Sequence, residues 1–491
     1  MSDRKATILD RTWLDLHGDE LASRLVGLWA TRQRWFGDKS RVVTGVTTPF
    51  AQPIVESASL FLLTILEFAF ESGPSARYFI PLSAPGASGS SASIGSCGGI
   101  SFSDAITDEW FLRWLGTSAA EPSSATAEEG STTWHGVGDG ISGLSDPNVT
   151  IRPLTVEQSN SSVLYGEHTL VKLLRKLQPG QNLEIEISRY LTTRTSFRNA
   201  PRLQGWWTVE VGGEEIALAV AQSFEKSDGD GWRYACKAMG SVTDLFSATA
   251  VRLGERTAEL HLALGADVGL PDFAPEPIGP DDVDTWSREL SDNIGKAEEA
   301  IRATLFTGDG RTRDLKIAFL DAADRLSQQT RGFEGLLGCA KIRVHGDYHL
   351  GQTLRTADGD WVILDFEGEP GRPLAQRRAK TSPLKDVAGM LRSFGYAQAS
   401  IQRKIFGGGP DALSADVQFL PRERAARDAF LTAYIATARA GRQTFLPAKS
   451  EDLSQAIAAW EIDKAFYEIL YELDNRPDWV WLPLSAVMRY A

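Results

Sequence analysis

Two short segments hold the residue types that phosphoryl transfer requires. They are Val344-His345-Gly346-Asp347-Tyr348-His349-Leu350-Gly351-Gln352 and Ile363-Leu364-Asp365-Phe366-Glu367-Gly368-Glu369-Pro370. Asp347 follows Gly346, whose backbone freedom lets a tight loop aim the carboxylate into a cleft. Such a carboxylate orients a hydroxyl and takes its proton, while an amide and a second carboxylate hold Mg²⁺ against nucleotide phosphates. Gln352, at Asp-x4-Gln spacing, and Asp365 supply hard oxygen donors of the kind Mg²⁺ takes. His345 and His349 read as braces of the loop, with Glu367 and Asp386 as further supports. Two histidines four apart also suit zinc on a helix, but Gly346 and the strand-like Ile342-Arg343-Val344 speak against a helix here.

These groups need elements to position them. Leu354 to Trp361 reads as strand, Asp358-Gly359 turn and strand, because Asp-Gly between apolar runs is a hairpin signal. Trp361-Val362-Ile363-Leu364 is then a buried strand that delivers Asp365 at its end. A base, an amide five residues on, a hairpin and a strand-end aspartate follow the order of a protein-kinase centre, with Asp-Phe-Glu in the place of Asp-Phe-Gly. Upstream, Leu170-Val171-Lys172-Leu173-Leu174 is a strand carrying Lys172, the candidate phosphate-binding lysine. Leu183 to Thr193 starts a helix, where Glu186 is the candidate partner of Lys172 and Glu184 the competitor. Gln158, Ser159, Asn160 and Ser161 occupy the place of a glycine-rich loop and could give backbone and side-chain donors to phosphate. Gln222 and Phe224 end an apolar strand where adenine would bond the backbone. Beyond residue 224 the periodicity is mainly helical.

The fold expected is α+β: a bilobal protein-kinase-like fold with an added N-terminal cap and a mainly helical C-lobe. The expected divisions are 1–105 (cap), 106–224 (strand-rich N-lobe) and 225–491 (helical C-lobe with the catalytic loop and sugar site). Ser/Gly-rich stretches at 84–103 and 117–130 read as loops without packing power. The 491 residues carry 64 Asp and Glu against 51 Lys and Arg, a net charge of −13, which excludes the basic footprint of nucleic-acid binding. Three dispersed cysteines give neither a disulfide framework nor a metal cluster. The start Met1-Ser2-Asp3-Arg4-Lys5 leads into polar sequence, and Leu60 to Phe70 is too short to span a bilayer, so a cytoplasmic location without membrane contact is expected.

The chain resembles the bacterial maltokinases, aminoglycoside-phosphotransferase-like sugar kinases. The resemblance rests on Arg34-Trp35-Phe36-Gly37, on Gln158 to Ser162, on Lys172 with Gln178 to Glu186, and on the catalytic segments. It continues through Arg372-Pro373-Leu374 and Ser382 to Ser393 to Trp460-Glu461-Ile462-Asp463-Lys464 and Asn475 to Trp479. It implies ATP and Mg²⁺ as cofactors and transfer of the γ-phosphoryl group to the anomeric hydroxyl of maltose. It also implies a place in glycogen and trehalose metabolism, in functional association with an enzyme interconverting trehalose and maltose. Trp460, Lys464, Tyr467 and Tyr471 share a face of the C-terminal helix. With Glu461 and Glu468, the first three are the sugar-binding candidates.

Two rival readings stand beside it: an aminosugar kinase such as a glucosamine kinase, and a catalytically silent kinase-fold sugar-binding protein. In either kinase reading Asp347→Asn lowers kcat by about 10²–10⁴-fold while nucleotide binding stays nearly intact. Steady-state rates and a nucleotide titration check this, and a fully active variant refutes the assignment.

Overall fold

The computed structural model describes residues 11–56, 59–84, 93–120, 125–127, 130–138, 141–154, 159–241, 246–305, 310–369, 371–406 and 416–490. They form two units, one of residues 1–189 and 201–224, the other of 190–200 and 225–491.

The first unit is built from two antiparallel sheets and flanking helices. A helix α1 (Arg11–Glu20), prolonged through Leu21–Val26 and Gly27–Ala30, precedes β1 (Val43–Glu56), β2 (Ser59–Phe70), β3 (Ala76–Phe79) and β4 (Leu82–Ala84). β5 (Ser93–Cys97), β6 (Ile100–Asp104), α2 (Glu109–Ala120), β7 (Ala125–Ala127), β8 (Gly130–Gly136) and β9 (Ile151–Leu154) follow. Then come β10 (Ser161–Tyr165), β11 (Thr169–Leu173), β12 (Lys176–Leu177), α3 (Leu183–Arg194), β13 (Leu203–Val211) and β14 (Glu214–Ser223). One sheet has the order β12-β3-β2-β4-β6-β5 with β1 on β2, and the other β7-β8-β13-β14-β11-β10-β9.

β2 shows why the first sheet is covered on both faces. Its side chains alternate, so Leu60, Leu62, Leu66 and Phe68 enter a core with α1, and Phe61, Leu63 and Ile65 a second core shared with the other sheet. β2 pairs antiparallel with β3, Ile65 against Phe79 through Phe68 against Ala76. The aromatic turn after α1 is a packing device. Phe36 stacks on Tyr78 at 4.7 Å, the Tyr78 hydroxyl donates to Asp38 at 2.6 Å, and the buried Arg175 lies over Trp35 while pairing with Asp104 at 2.7 Å.

The two Ser/Gly-rich stretches are not wholly loops. Ser93–Cys97 pairs with Ile100–Asp104 across Gly98 and Gly99, both at positive φ, which a two-residue hairpin turn demands. Ala125–Ala127 likewise pairs with β8. Composition suggested linkers there, but short strands can draw order from sheet neighbours rather than from their own side chains.

The second unit is mainly helical. Its helices are α4 (Gly231–Met239), α5 (Phe246–Leu264), α6 (Pro280–Ala303), α7 (Gly310–Ser327), α8 (Leu374–Arg378), α9 (Leu384–Phe406), α10 (Asp416–Ala440), α11 (Ser450–Asn475) and α12 (Trp481–Val487). None of the helices among the described residues is long and apolar enough to cross a membrane. The expected hairpin is present: Thr353–Arg355 pairs with Trp361–Ile363 around the Asp358-Gly359 turn. Gly389 of α9 lets the helix approach the catalytic loop, because a Cβ there would lie 2.7 Å from the Tyr348 carbonyl oxygen. Gly389→Ala therefore pushes helix or loop aside and costs about 1–3 kcal/mol. A lower denaturation midpoint together with lower kcat is the expected result.

Candidate active site

Asp386 organises the catalytic loop from the first turn of α9. Its Oδ2 accepts from the His345 N–H at 2.8 Å and its Oδ1 from the Gly346 N–H at 2.9 Å. His261 of α5 adds Nε2 at 3.2 Å, and its Nδ1 lies 2.9 Å from the Tyr434 hydroxyl of α10. Burial pushes the Asp386 carboxyl up, but the His261 bond, the charges of His261 and His345 and the Gly346 N–H outweigh it and hold it below its ordinary value. His345 Nε2 lies 2.7 Å from the Leu364 carbonyl oxygen, tying the loop to the strand that ends at Asp365. His345 and His349 are thus loop-bracing residues: His349 Nδ1 accepts from the Gly351 N–H at 3.0 Å. Glu367 contributes through its backbone, its carbonyl accepting from Arg377 at 2.7 Å.

Gln352 and Asp365 converge as their types suggest. The Gln352 Nε2 donates to Asp365 Oδ2 at 2.9 Å, and the Leu364 N–H to the Gln352 carbonyl at 2.9 Å. Asp365 has φ 64°, in a region that disfavours a branched or bulky residue. Backbone strain of this kind gathers at functional sites.

Asp347 opens on a cavity of about 650 Å³ lined by Trp232, Tyr396, Lys464, Tyr467, Glu468 and Tyr471 among others. Glu369, Glu472 and Arg476 also line it. Lys464 Nζ lies 3.7 Å from Asp347 Oδ1 and 3.3 Å from Glu369 Oε1, and Arg372 Nε holds Glu369 Oε2 at 2.6 Å. Burial alone would favour neutral Lys464, but Glu369 and Asp347 raise its proton affinity above the ordinary lysine value. Glu369 is held below its ordinary value, because Lys464 and Arg372 outweigh its burial. Glu468 receives two bonds from Arg392, one at 2.9 Å, and Glu472 is bound by Arg476 and by the Tyr396 hydroxyl at 3.0 Å.

Two of the expected sugar ligands lie elsewhere. Trp460 is buried against Phe333, at 4.8 Å between ring centroids, and Trp286. Glu461 forms a two-pronged pair with Arg427 at 2.8 and 2.7 Å and accepts from Tyr490. The helical face is real, but the cavity covers only its C-terminal half, so residues one turn earlier are already in the core. Glu369, Arg372, Tyr396 and Trp232 were missed. The available signal was Glu369 lying four residues beyond Asp365 in the same loop.

In the first unit, Lys172 Nζ donates to Glu184 Oε1 at 2.9 Å, with both groups buried, so this bond reaches the competitor of the expected Glu186. Residues two apart on a helix face different ways. Gln158 lies outside the described residues, Ser159 is exposed and Asn160 half-buried. The Ser161 hydroxyl accepts from Arg175 at 2.7 Å. Gln222 is buried in mid-sheet, and the Phe224 N–H already donates to the His168 carbonyl at 2.8 Å.

The comparisons place these features in a family. A glucosamine kinase of Mycolicibacterium smegmatis is 30% identical over 370 residues, covering 72% of this chain and 83% of the relative. The chain belongs to the glucosamine kinase family. A second member, from Streptacidiphilus jiangxiensis, is 29% identical over 344 residues, covering 68% of this chain and 71% of the relative. A solved glucosamine kinase, in complex with glucosamine, ADP and inorganic phosphate, has the same fold at TM-score 0.64 and 21% identity, covering 96% of this chain and 98% of that one. Another crystal form gives TM-score 0.66. No family model matches the chain. The fold is α+β and protein-kinase-like, as expected.

The maltose expectation is corrected by these relatives, and with it maltose 1-phosphate and the glycogen and trehalose context. Two residues of the C-terminal helix motif that carried the resemblance, Trp460 and Glu461, sit in packing and not in the cavity.

Asp386→Ala leaves the His345 and Gly346 N–H groups without their acceptor, at about 1–3 kcal/mol for each buried group. Denaturant titration should show a loss of several kcal/mol, roughly the sum of these costs. The folded fraction should show a reduced kcat.

Proposed function

We propose that the chain is an ATP-dependent aminosugar kinase that transfers the γ-phosphoryl group of ATP to a hydroxyl of glucosamine. The observation that carries this reading is Asp347 opening on a cavity walled by aromatic rings and by the carboxylates of Glu369, Glu468 and Glu472, in a chain of the glucosamine kinase family. Aromatic rings pack on the apolar faces of a sugar, and the carboxylates accept from hydroxyl and ammonium groups.

Asp347 orients the acceptor hydroxyl and takes its proton. Lys172, held by Glu184, binds nucleotide phosphate, and Ser159, Asn160 and Gln222 are the remaining candidates around the nucleotide. The two oxygen-bearing side chains that converge at Gln352 and Asp365 suit Mg²⁺ and would hold it. When bound, the ion supplies positive charge to the phosphates. The chain's own contribution is orientation and fixed charge, which carry most of the rate in phosphoryl transfer.

Incubation of the full chain with Mg·ATP and a sugar panel tests the reading. ADP release with glucosamine should exceed that with glucose by at least about tenfold in kcat/KM. Equal turnover of both sugars refutes the aminosugar assignment, and no sugar-dependent ADP release from any acceptor refutes the kinase.

A further inference from the structure

Asp347 is flanked at both carboxylate oxygens. Lys464 Nζ lies 3.7 Å from Oδ1 and His349 Nε2 lies 4.0 Å from Oδ2. Burial, together with the charges of His345 and Lys464, lowers the proton affinity of His349 despite the acids nearby. Lys464, whose proton affinity Glu369 and Asp347 raise, is the charged neighbour of the base.

Lys464 is not a flexible arm in the cavity. Its ammonium rests 3.3 Å from Glu369 Oε1 and 4.7 Å from the Tyr467 ring centroid. Glu369 is itself buried and fixed by Arg372 at 2.6 Å. The order Arg372–Glu369–Lys464–Asp347 is an alternation of sign from α11 and the segment after Asp365 to the base. A cation with two anionic neighbours has little reason to turn toward a sugar hydroxyl, and none to attract an ammonium.

We propose that Lys464 is a positioning residue rather than a sugar ligand. Locked by Glu369 and Arg372, it fixes the direction of the Asp347 carboxylate through Oδ1, leaving Oδ2 as the oxygen that meets the acceptor hydroxyl. In the transfer, the hydroxyl proton moves to Oδ2 while the acceptor oxygen bonds to the γ-phosphorus and the bond to the leaving ADP breaks. The role rests on the kinase reading above.

The test compares Lys464→Met, Lys464→Arg and Glu369→Gln with the wild type under saturating Mg·ATP. Misdirecting the base lowers kcat of Lys464→Met by about 100-fold, with KM for the sugar within about threefold. Lys464→Arg recovers part of kcat, because the charge returns, and Glu369→Gln falls in the same direction by less. A raised KM with unchanged kcat makes Lys464 a sugar ligand and overturns the proposal, as does an arginine variant no better than methionine. If Lys464→Met does not fold, unchanged kcat in Glu369→Gln overturns it. Wild-type turnover of glucosamine checks the kinase reading separately. Whatever the acceptor, crystal structures of the Lys464→Met and Glu369→Gln variants decide the geometry: a turned Asp347 carboxylate supports the proposal, and an unmoved one refutes it.

Discussion

The loop that carries Asp347 depends on one buried carboxylate. Asp386 accepts from two successive backbone N–H groups, those of His345 and Gly346, and so dictates the loop conformation just before Asp347. Gly346 takes φ 84° there, which a side-chain-bearing residue resists. A buried carboxylate is costly unless it is fully bonded, and His261 completes the set. The arrangement is stiff because its partners come from three helices: α9 gives Asp386, α5 gives His261 and α10 gives the Tyr434 that meets His261. His345 then passes the constraint on, because its Nε2 meets the Leu364 carbonyl and so fixes the loop against the residue preceding Asp365.

What the sequence made legible was local. Gln352 and Asp365 lie close along the chain on either side of a hairpin with an Asp-Gly turn, and their side chains meet as that spacing suggests. What it concealed depends on rotation and on reach. Glu184 and Glu186 are equivalent in type and near-equivalent in position, and that the Lys172 bond reaches Glu184 depends on how α3 is rolled beneath β11, a tertiary fact. The same holds on α11. Periodicity put Lys464, Tyr467 and Tyr471 on a face, and together with the expected Glu468 and with Glu472 they line the cavity as an i, i+3, i+4, i+7, i+8 stripe. Periodicity has no means of saying where along that stripe a cavity stops, and Trp460 falls beyond its end.

The Ser/Gly-rich stretches failed for a related reason. Poor hydrophobic composition argues against a segment that must hold itself together, but β5 needs only a glycine turn and one richer neighbour. Order there is supplied by Phe102 of β6, buried in the core with α1. Low complexity is therefore a statement about a segment's own packing power and not about whether a sheet can recruit it.

Charge in the cavity explains why acceptor chemistry was harder to read than reaction chemistry. Asp347, Glu369, Glu468 and Glu472 line the wall, but Lys464, Arg372, Arg392 and Arg476 stand against them as ion pairs or close neighbours. The two sets balance in formal charge, so the wall is no simple acidic funnel for a cationic sugar. In the aminosugar reading proposed above, selectivity comes from oriented acceptors. Arg392 holds Glu468 through Oε2 alone, and a carboxylate gripped at one oxygen keeps lone pairs for donors at the other, whereas Glu369 is held at both oxygens by Arg372 and Lys464. A sugar amine and hydroxyls are donors of that kind. A count of acids along α11 cannot express this, because the arginines that orient Glu369 and Glu468 come from Arg372 beyond the Asp365 strand and Arg392 on α9.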